Sequence, residues 1–181
     1  MRQHVVFFVG PDMSGKTQIA KEVARRLGDE RLYFKASDEH DSYLSSKVTR
    51  REAFLNQLRY ADPRVFDVLR QSGHSLVFDR GFPCEYAYSR VFGRETDLSM
   101  LKHMDEMWSS IDARVVFCHR SSYDGIVDDL DPKITTDVLR RIHAEYENFF
   151  SWSRCKHLSL NVDDEDLERE ANEVLRFLES D

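Results

Sequence analysis

Four residues near the N-terminus have the types and spacing of a phosphate-binding loop. Gly10, Gly15, Lys16 and Thr17 fit the pattern G-x-x-x-x-G-K-[ST]. Glycines let such a loop curl so that its N–H groups point at phosphate oxygens, while the lysine reaches the β- and γ-phosphates and the hydroxyl ligates Mg²⁺. The pattern therefore predicts ATP and Mg²⁺ as cofactors. The predicted cofactor-binding residues of this loop are Gly10, Asp12, Met13, Ser14, Gly15, Lys16 and Thr17.

A second pair of candidates stands at the end of a short apolar run. Asp79 closes residues 75–79, where a carboxylate can hold Mg²⁺ directly or through water. Thr17 and Asp79 therefore form the predicted metal site. Arg80 follows immediately and is placed to clamp a phosphate at the same edge of a sheet. Lys16, Asp79 and Arg80 are the predicted catalytic residues.

The elements that must position these residues alternate between strands and helices. Short apolar runs predict strands at 4–9, 31–36, 75–79, 113–118 and 156–160. Helical periodicity and caps predict helices after Gly15, at 43–58, 62–73 and 97–110, after Pro83, around 138–150 and around 167–178. This order predicts a three-layer α/β/α fold with a five-stranded parallel sheet, and the glycine-rich loop between the first strand and its helix makes it a P-loop NTPase fold.

Composition limits the remaining possibilities. The 181 residues predict one domain, 1–181, and the net charge of −7 argues against general nucleic-acid or anionic-membrane binding. No run is long and apolar enough to predict a membrane span. The three cysteines lack C-x-x-C spacing, which predicts free thiols and a cytoplasmic protein.

Several stretches together resemble the thymidylate kinases. The run from Asp79 to Ser89 is similar to D-R-[YFH]-x-x-S-x-x-A-Y-[SQ], and the run from Leu58 to Arg64 to L-L-F-x-A-x-R. Gly10 to Asp12 matches the G-x-D of that family, and residues 160–163 resemble its adenine-side loop. The resemblance implies a thymidylate-like, pyrimidine deoxynucleotide acceptor and suggests a homodimer through the helix at 97–110.

Individual roles follow from the matched positions. The resemblance implies that Tyr60 stacks on the acceptor base, that Arg64 contacts its phosphate and base, and that Tyr88 disfavours a ribose 2′-hydroxyl. It also implies that Asp12 approaches the acceptor's sugar hydroxyl and that Arg80 lies between donor and acceptor phosphates. The predicted substrate-binding residues are Asp12, Tyr60, Arg64, Arg80 and Tyr88, and Arg120 and Asn161 are added on the cofactor side.

The sequence departs from the family where a transition-state arginine is needed. Met13 stands at the P-loop place for it, and the lid-like segment 121–137 has five aspartates against one lysine. Arg120, before the lid, or Arg140 and Arg141, after it, would have to serve. The family's tyrosine and serine after the Asp-Arg pair are replaced by Gly81 and Cys84.

Two other acceptors and one other class of protein remain as alternatives. Asp38 or Glu39 could be a general base for a hydroxyl acceptor, which makes Asp38 a further predicted catalytic residue. Residues 45–74 carry six cations against three carboxylates, a balance that would suit DNA containing a hydroxymethyl-pyrimidine. Phage enzymes related to the thymidylate kinases phosphorylate such bases. The alternative class is a nucleotide-binding switch or regulatory ATPase, although no N-K-x-D guanine motif occurs.

Overall fold

A five-stranded parallel sheet forms the centre of the protein, as predicted. The computed structural model describes residues 3–28, 32–35, 50–126 and 133–180. The spatial order of the strands is β2-β3-β1-β4-β5, and every neighbouring pair is parallel. The strands are β1 (Val5–Val9), β2 (Tyr33–Lys35), β3 (Leu76–Asp79), β4 (Arg114–His119) and β5 (Lys156–Asn161).

Helices cover both faces of the sheet. Side chains alternate across β1, so that Phe7 packs on one face and Phe8 on the other. The described helices are α1 (Lys16–Arg26), α2 (Arg50–Asn56), α3 (Asp62–Ser72), α4 (Phe82–Val91), α5 (Leu98–Ser109), α6 (Thr136–Phe150) and α7 (Leu167–Glu179). The sheet face that carries Phe8 is covered by α1 and α7, and the face that carries Phe7 is covered by α2 to α6. The predicted three-layer α/β/α architecture is confirmed.

Aromatic packing fixes the sheet against the helices on the Phe7 face. The rings of Phe7 and Phe78 stack at 4.4 Å, and Trp108 of α5 meets both edge-on at 5.2 and 5.5 Å. A Cβ at Gly81 would lie 2.5 Å from the Phe7 ring. Phe7 therefore leaves no room for a side chain at Gly81, which explains why the tyrosine of the thymidylate kinases is missing there.

The helix predicted at 43–58 differs from the observed structure at its carboxyl end. Residues 43–49 lie outside the described residues, and α2 runs on into a π-helical segment, Gln57–Ala61, before α3 begins. Pro63 lies in the first turn of α3, as predicted. Gly73, with a φ of 68°, ends that helix as predicted.

Asp62, at the start of α3, is a buried carboxyl with incomplete hydrogen bonding. It is 2% exposed, its Oδ1 accepts from Gln57 Nε2 at 3.3 Å, and its Oδ2 has no partner among the described residues. Burial raises the pKa of Asp62 to about 7. Because the folded state favours the protonated form, the contribution of this carboxyl to stability is fully present below about pH 4 and is lost as the pH rises through about 7.

Replacing Asp62 by asparagine is therefore expected to raise the free energy of unfolding at pH 8 by about 1–4 kcal/mol. At pH 5 the carboxyl is protonated in the folded protein but ionised in the unfolded chain, so the substitution should raise the free energy of unfolding less than at pH 8. Urea unfolding at the two pH values measures the difference. Asp67→Asn, at an exposed position of the same helix, is the matched control. An equal effect of Asp62→Asn at both pH values would contradict the assignment.

All three cysteines are free and buried, as the sequence predicts. Within the part of the chain that the structure describes, no helix has the length and apolar character needed to cross a membrane.

Candidate active site

The glycine-rich loop lies between β1 and α1 and is pressed against β4. Gly10 has a φ of +146°, and a Cβ there would lie 2.1 Å from the carbonyl oxygen of Cys118. Glycine is therefore required both for the backbone conformation and for the close approach to β4. Gly15, with a φ of 68°, turns the chain into α1, whose first residue is Lys16. The loop therefore ends at a helix N-terminus, where backbone N–H groups favour an anion.

Lys16 places a buried ammonium group at the phosphate-binding loop. Its side chain is 5% exposed, and Nζ donates to the carbonyl of Pro11 at 3.0 Å. Burial, with the charge of Arg80 adding to it, lowers the pKa of Lys16 to about 8. Nearby, the buried Ser14 hydroxyl has no hydrogen-bond partner in the described structure. Phosphate oxygens at this loop would supply an acceptor for the Ser14 hydroxyl and negative charge beside the Lys16 ammonium.

The predicted metal ligands are brought into contact. Thr17 Oγ1 donates to Asp79 Oδ2 at 2.6 Å, since β1 and β3 are paired and end at the same edge of the sheet. Asp79 is buried, and its Oδ1 has no partner within the described residues. A hydroxyl and a carboxylate with an unpartnered oxygen form a hard oxygen donor set, which fits Mg²⁺.

A third side chain, from β2, completes this cluster and was not predicted. The Tyr33 hydroxyl donates to Asp79 Oδ2 at 2.9 Å. The sequence placed Tyr33 on a strand but could not say that this strand lies next to β3. Tyr33 therefore orients the carboxylate from outside the set of metal ligands.

Replacing Tyr33 by phenylalanine is expected to weaken Mg²⁺-dependent ATP binding about ten-fold, because the orienting hydrogen bond to Asp79 is lost. Calorimetric titration of ATP at several Mg²⁺ concentrations measures the effect. Tyr86→Phe removes a hydroxyl from a tyrosine of α4 outside the site and should leave the Mg²⁺ dependence unchanged. An equal effect of the two substitutions would show that Tyr33 has no role at the metal site.

Three predicted acceptor residues meet beside the loop. Arg80 Nη2 donates to Asp12 Oδ1 at 2.6 Å, and the Tyr88 hydroxyl donates to Asp12 Oδ2 at 2.8 Å. The guanidinium of Arg80 also lies over the Tyr88 ring, 5.6 Å from its centroid. Arg80 has a φ of 74°, a left-handed conformation that costs energy in a non-glycine residue and is concentrated at functional sites.

Electrostatics fix the protonation states of this group. Burial alone would raise the pKa of Asp12, but the charges of Arg80 and Lys16 and two hydrogen bonds outweigh it, so the pKa is lowered. Burial raises the pKa of Tyr88, so its hydroxyl remains a donor. Asp12 is therefore an ionised carboxylate that holds Arg80 and Tyr88 in place, and we call the three residues the acceptor triad.

The acceptor triad lines a cavity of about 510 Å³. Its further lining residues belong to the turn after α4 and to the carboxyl end of the lid segment: Phe92, Arg94, Lys133 and Ile134. None of these four was predicted from the sequence to be a site residue. One sequence feature could have indicated Phe92: it follows Tyr88 by four residues, which places both on one face of a helix.

On the other side of the loop, the predicted cofactor-side residues come together at the ends of β4 and β5. Arg120 Nε donates to the carbonyl of Met13 at 3.3 Å, and its Nη2 to Glu165 at 2.6 Å. Asn161 Nδ2 donates to Ser121 Oγ at 2.8 Å, which joins the two loops.

Arg140 and Arg141, the other two candidates for the transition-state arginine, bond to groups outside the phosphate-binding loop. Arg140 pairs with Asp124 at 2.5 Å and with Asp137 at 3.9 Å, so it offsets part of the lid's negative charge. Arg141 donates to the carbonyl of Val91 at 2.9 Å, at the end of α4. Of the three candidates, only Arg120 contacts the phosphate-binding loop through the bonds that the described residues make.

Tyr60 and Arg64 are not among the residues that line the cavity. Tyr60, 66% exposed, is in the π-helical segment, and Arg64 is exposed on α3. No hydrogen bond or ring contact within the described chain joins the two side chains. Their role stays a prediction. Asp38 and Glu39 lie outside the described residues, and so do residues 127–132 of the lid segment.

Two solved structures share this fold over almost the whole chain. The YorR protein from Bacillus subtilis, in complex with phosphorylated GDP, matches with a TM-score of 0.66 and 16% sequence identity over 97% of this chain and 95% of its own. The thymidylate kinase from Ehrlichia chaffeensis matches with a TM-score of 0.64 and 12% identity over 99% of this chain and 100% of its own. No family model and no curated protein sequence matches the chain. The protein therefore has the α/β fold of P-loop nucleotide kinases.

Proposed function

We propose that this protein is a phosphotransferase that moves the γ-phosphate of ATP to a pyrimidine deoxynucleotide-type acceptor. One observation carries the proposal: a phosphate-binding loop and a separate acceptor cavity meet at Asp12, which belongs to the loop and lines the cavity. A nucleotide-binding switch or regulatory ATPase has no need of a second cavity beside its phosphate loop. The arrangement therefore supports transfer between two bound molecules.

The chain's own residues have separate tasks in this transfer. Lys16 neutralises charge on the donor phosphates, and its burial makes that charge effective because little water screens it. Arg80, held by Asp12, presents its guanidinium between the loop and the cavity. Thr17 and Asp79 would hold Mg²⁺, which supplies further neutralisation of phosphate charge when bound. Arg120 reaches the loop at Met13 and takes the place of the missing loop arginine.

The state of Asp12, the one carboxylate among the described residues that line the cavity, favours a phosphate over a hydroxyl as the accepting group. A hydroxyl needs a general base, whereas a phosphate oxygen is already anionic. Asp12 is paired and has a lowered pKa, so it is a weak base. The two neighbours in fold, a thymidylate kinase and a protein bound to phosphorylated GDP, add support for a nucleotide acceptor.

The experiment that tests the acceptor is incubation of the protein with ATP labelled in the γ-phosphate and a panel of acceptors. The panel contains nucleosides, nucleoside monophosphates, and DNA with normal or hydroxymethylated pyrimidines. We expect label in pyrimidine deoxynucleoside diphosphates. Label only in nucleoside 5′-phosphates or only in hydroxymethylated DNA would overturn the nucleotide acceptor and establish a hydroxyl acceptor instead.

A further inference from the structure

The acceptor cavity extends beyond the triad to a cation that is stacked on an aromatic ring. The guanidinium of Arg94 lies over the Phe92 ring, 5.0 Å from its centroid. The Phe92 ring in turn lies 6.3 Å from that of Tyr88, with 29° between the ring planes. Aromatic surface and positive charge therefore continue from the triad along one wall of the cavity.

Three contacts hold the turn that carries these residues. Arg51 Nη2, from α2, donates to the carbonyl of Glu95 at 2.6 Å, and Arg141, from α6, donates to the carbonyl of Val91 at 2.9 Å. The backbone N–H of Arg94 donates to the carbonyl of Ser89 at 2.8 Å. Gly93, with a φ of +62°, allows the reversal between them. The turn is therefore fixed from both sides before any ligand binds.

The buried end of Arg51 adds to this support. Its Nη2 also pairs with Glu85 of α4 at 3.0 Å, and Glu85 accepts from the Ser89 hydroxyl at 2.6 Å. Glu85 is buried, and the Arg51 side chain is partly exposed. The position of Arg94 is thus a property of the fold, because α2, α4 and α6 all contribute to it.

The charge of the cavity wall calls for an anion in addition to a triad ligand. Among the described residues that line the cavity, Arg80, Arg94 and Lys133 are cations and Asp12 is a carboxylate, and Lys133 has a further partner of its own. Asp12 is already paired with Arg80. No carboxylate within residues 3–28, 32–35, 50–126 and 133–180 pairs with Arg94. This excess of positive charge occurs in a chain whose net charge is −7.

We propose that Phe92 and Arg94 form a second anion subsite of the acceptor cavity, which takes a phosphate carried by the acceptor in addition to the one that is phosphorylated. The inference rests on the proposed function, because it places the subsite on the acceptor's side. The guanidinium supplies a charge-assisted hydrogen bond to phosphate oxygens, and its stacking on Phe92 keeps it oriented. A nucleoside bisphosphate and a nucleotide within a strand both present this chemistry.

The test is equilibrium binding, measured by calorimetry with a non-hydrolysable ATP analogue and Mg²⁺ present. The ligands are thymidine 5′-monophosphate, thymidine 3′,5′-bisphosphate and the 5′-phosphorylated dinucleotide of thymidine. We expect the second phosphate to tighten binding about ten-fold in the wild-type protein. Arg94→Gln should reduce the affinity for the bisphosphate to that for the monophosphate. Equal tightening by the dinucleotide identifies a strand as the source of the phosphate, and tightening by the bisphosphate alone identifies a free nucleotide.

The matched control is Arg90→Gln, at an arginine of the same helix that pairs with Glu145 at 2.7 Å outside the cavity. It should leave all the affinities unchanged. Equal affinities of the wild-type protein for the mono- and bisphosphate would overturn the subsite. A preference for the bisphosphate that persists in Arg94→Gln would overturn it as well. If Arg94→Gln lost affinity for the ATP analogue alone, Arg94 would belong to the donor side, which would also overturn the subsite. Because no phosphoryl transfer is measured, failure of the proposed function would appear only in the transfer assay.

Discussion

Replacing Lys16 by alanine is expected to lower the rate of phosphoryl transfer about 10³-fold, the largest effect of any single substitution in this protein. The ammonium group is buried beside the loop, where its attraction for phosphate oxygens is little screened. Its loss removes charge neutralisation at the donor phosphates, so kcat with ATP and thymidine monophosphate should fall. Steady-state kinetics with both substrates varied measures the effect.

The same substitution should not destabilise the protein. Burial disfavours the charged form of Lys16 and lowers its pKa to about 8. Without nucleotide, the melting temperature of Lys16→Ala should therefore equal or exceed that of the wild type. Lys102→Ala, at an exposed position of α5, is the control and should retain full activity. Unchanged transfer by Lys16→Ala at saturating ATP would contradict the assignment of the loop.

Replacing Arg80 by lysine is expected to lower kcat about 10²-fold while the KM for ATP changes little. Lysine keeps the charge but not the planar fork that bonds Asp12 at 2.6 Å and lies over the Tyr88 ring. The loss should appear in kcat because the guanidinium acts between donor and acceptor. The measurement is kcat and KM for each substrate.

Arg90→Lys is a close control for this substitution. Arg90 is on α4, pairs with Glu145 at 2.7 Å and lies over the Tyr86 ring at 5.3 Å, so it repeats the contacts of Arg80 away from the cavity. Full activity of Arg90→Lys together with the loss in Arg80→Lys would separate the position from the type of contact. Equal, small effects of both would show that Arg80 is structural.

The sequence predicted the fold and the proximity of Thr17 to Asp79 because both depend on local patterns. Five apolar runs alternate with helical periodicity, and the ends of parallel strands meet at one edge of the sheet. Together with the phosphate-binding loop, that rule predicts that Thr17 lies near Asp79, and Thr17 Oγ1 is 2.6 Å from Asp79 Oδ2. The contact of Asp12 with Arg80 and Tyr88 required more, since only the resemblance to thymidylate kinases connected the three positions.

What the sequence could not predict depends on contacts between distant segments. Tyr33 contacts Asp79 because β2 lies next to β3, and the residues of the two strands do not predict that they are neighbours. Arg94 lines the cavity because Gly93 reverses the chain and Arg51 holds the turn from α2. The homodimer, the DNA acceptor, and the roles of Tyr60, Arg64 and Asp38 stay predictions.

The π-helical segment is a further feature without a sequence signal. Residues 57–61 have ordinary helix-forming side chains, and the N–H of Asp62 donates to the carbonyl of Gln57, five residues earlier. The exposed Tyr60 lies in this segment. The segment also precedes Asp62, whose burial makes stability depend on pH.

Transfer of the γ-phosphate from the bound triphosphate to a second nucleotide, as proposed, can be followed through the fate of that phosphate. The measurement is the division of γ-labelled ATP between nucleoside diphosphate and inorganic phosphate, with and without thymidine monophosphate. We predict that the label passes to thymidine diphosphate and that little inorganic phosphate forms. Release of inorganic phosphate at a rate that no acceptor changes would contradict the claim and identify a nucleotide hydrolase or switch.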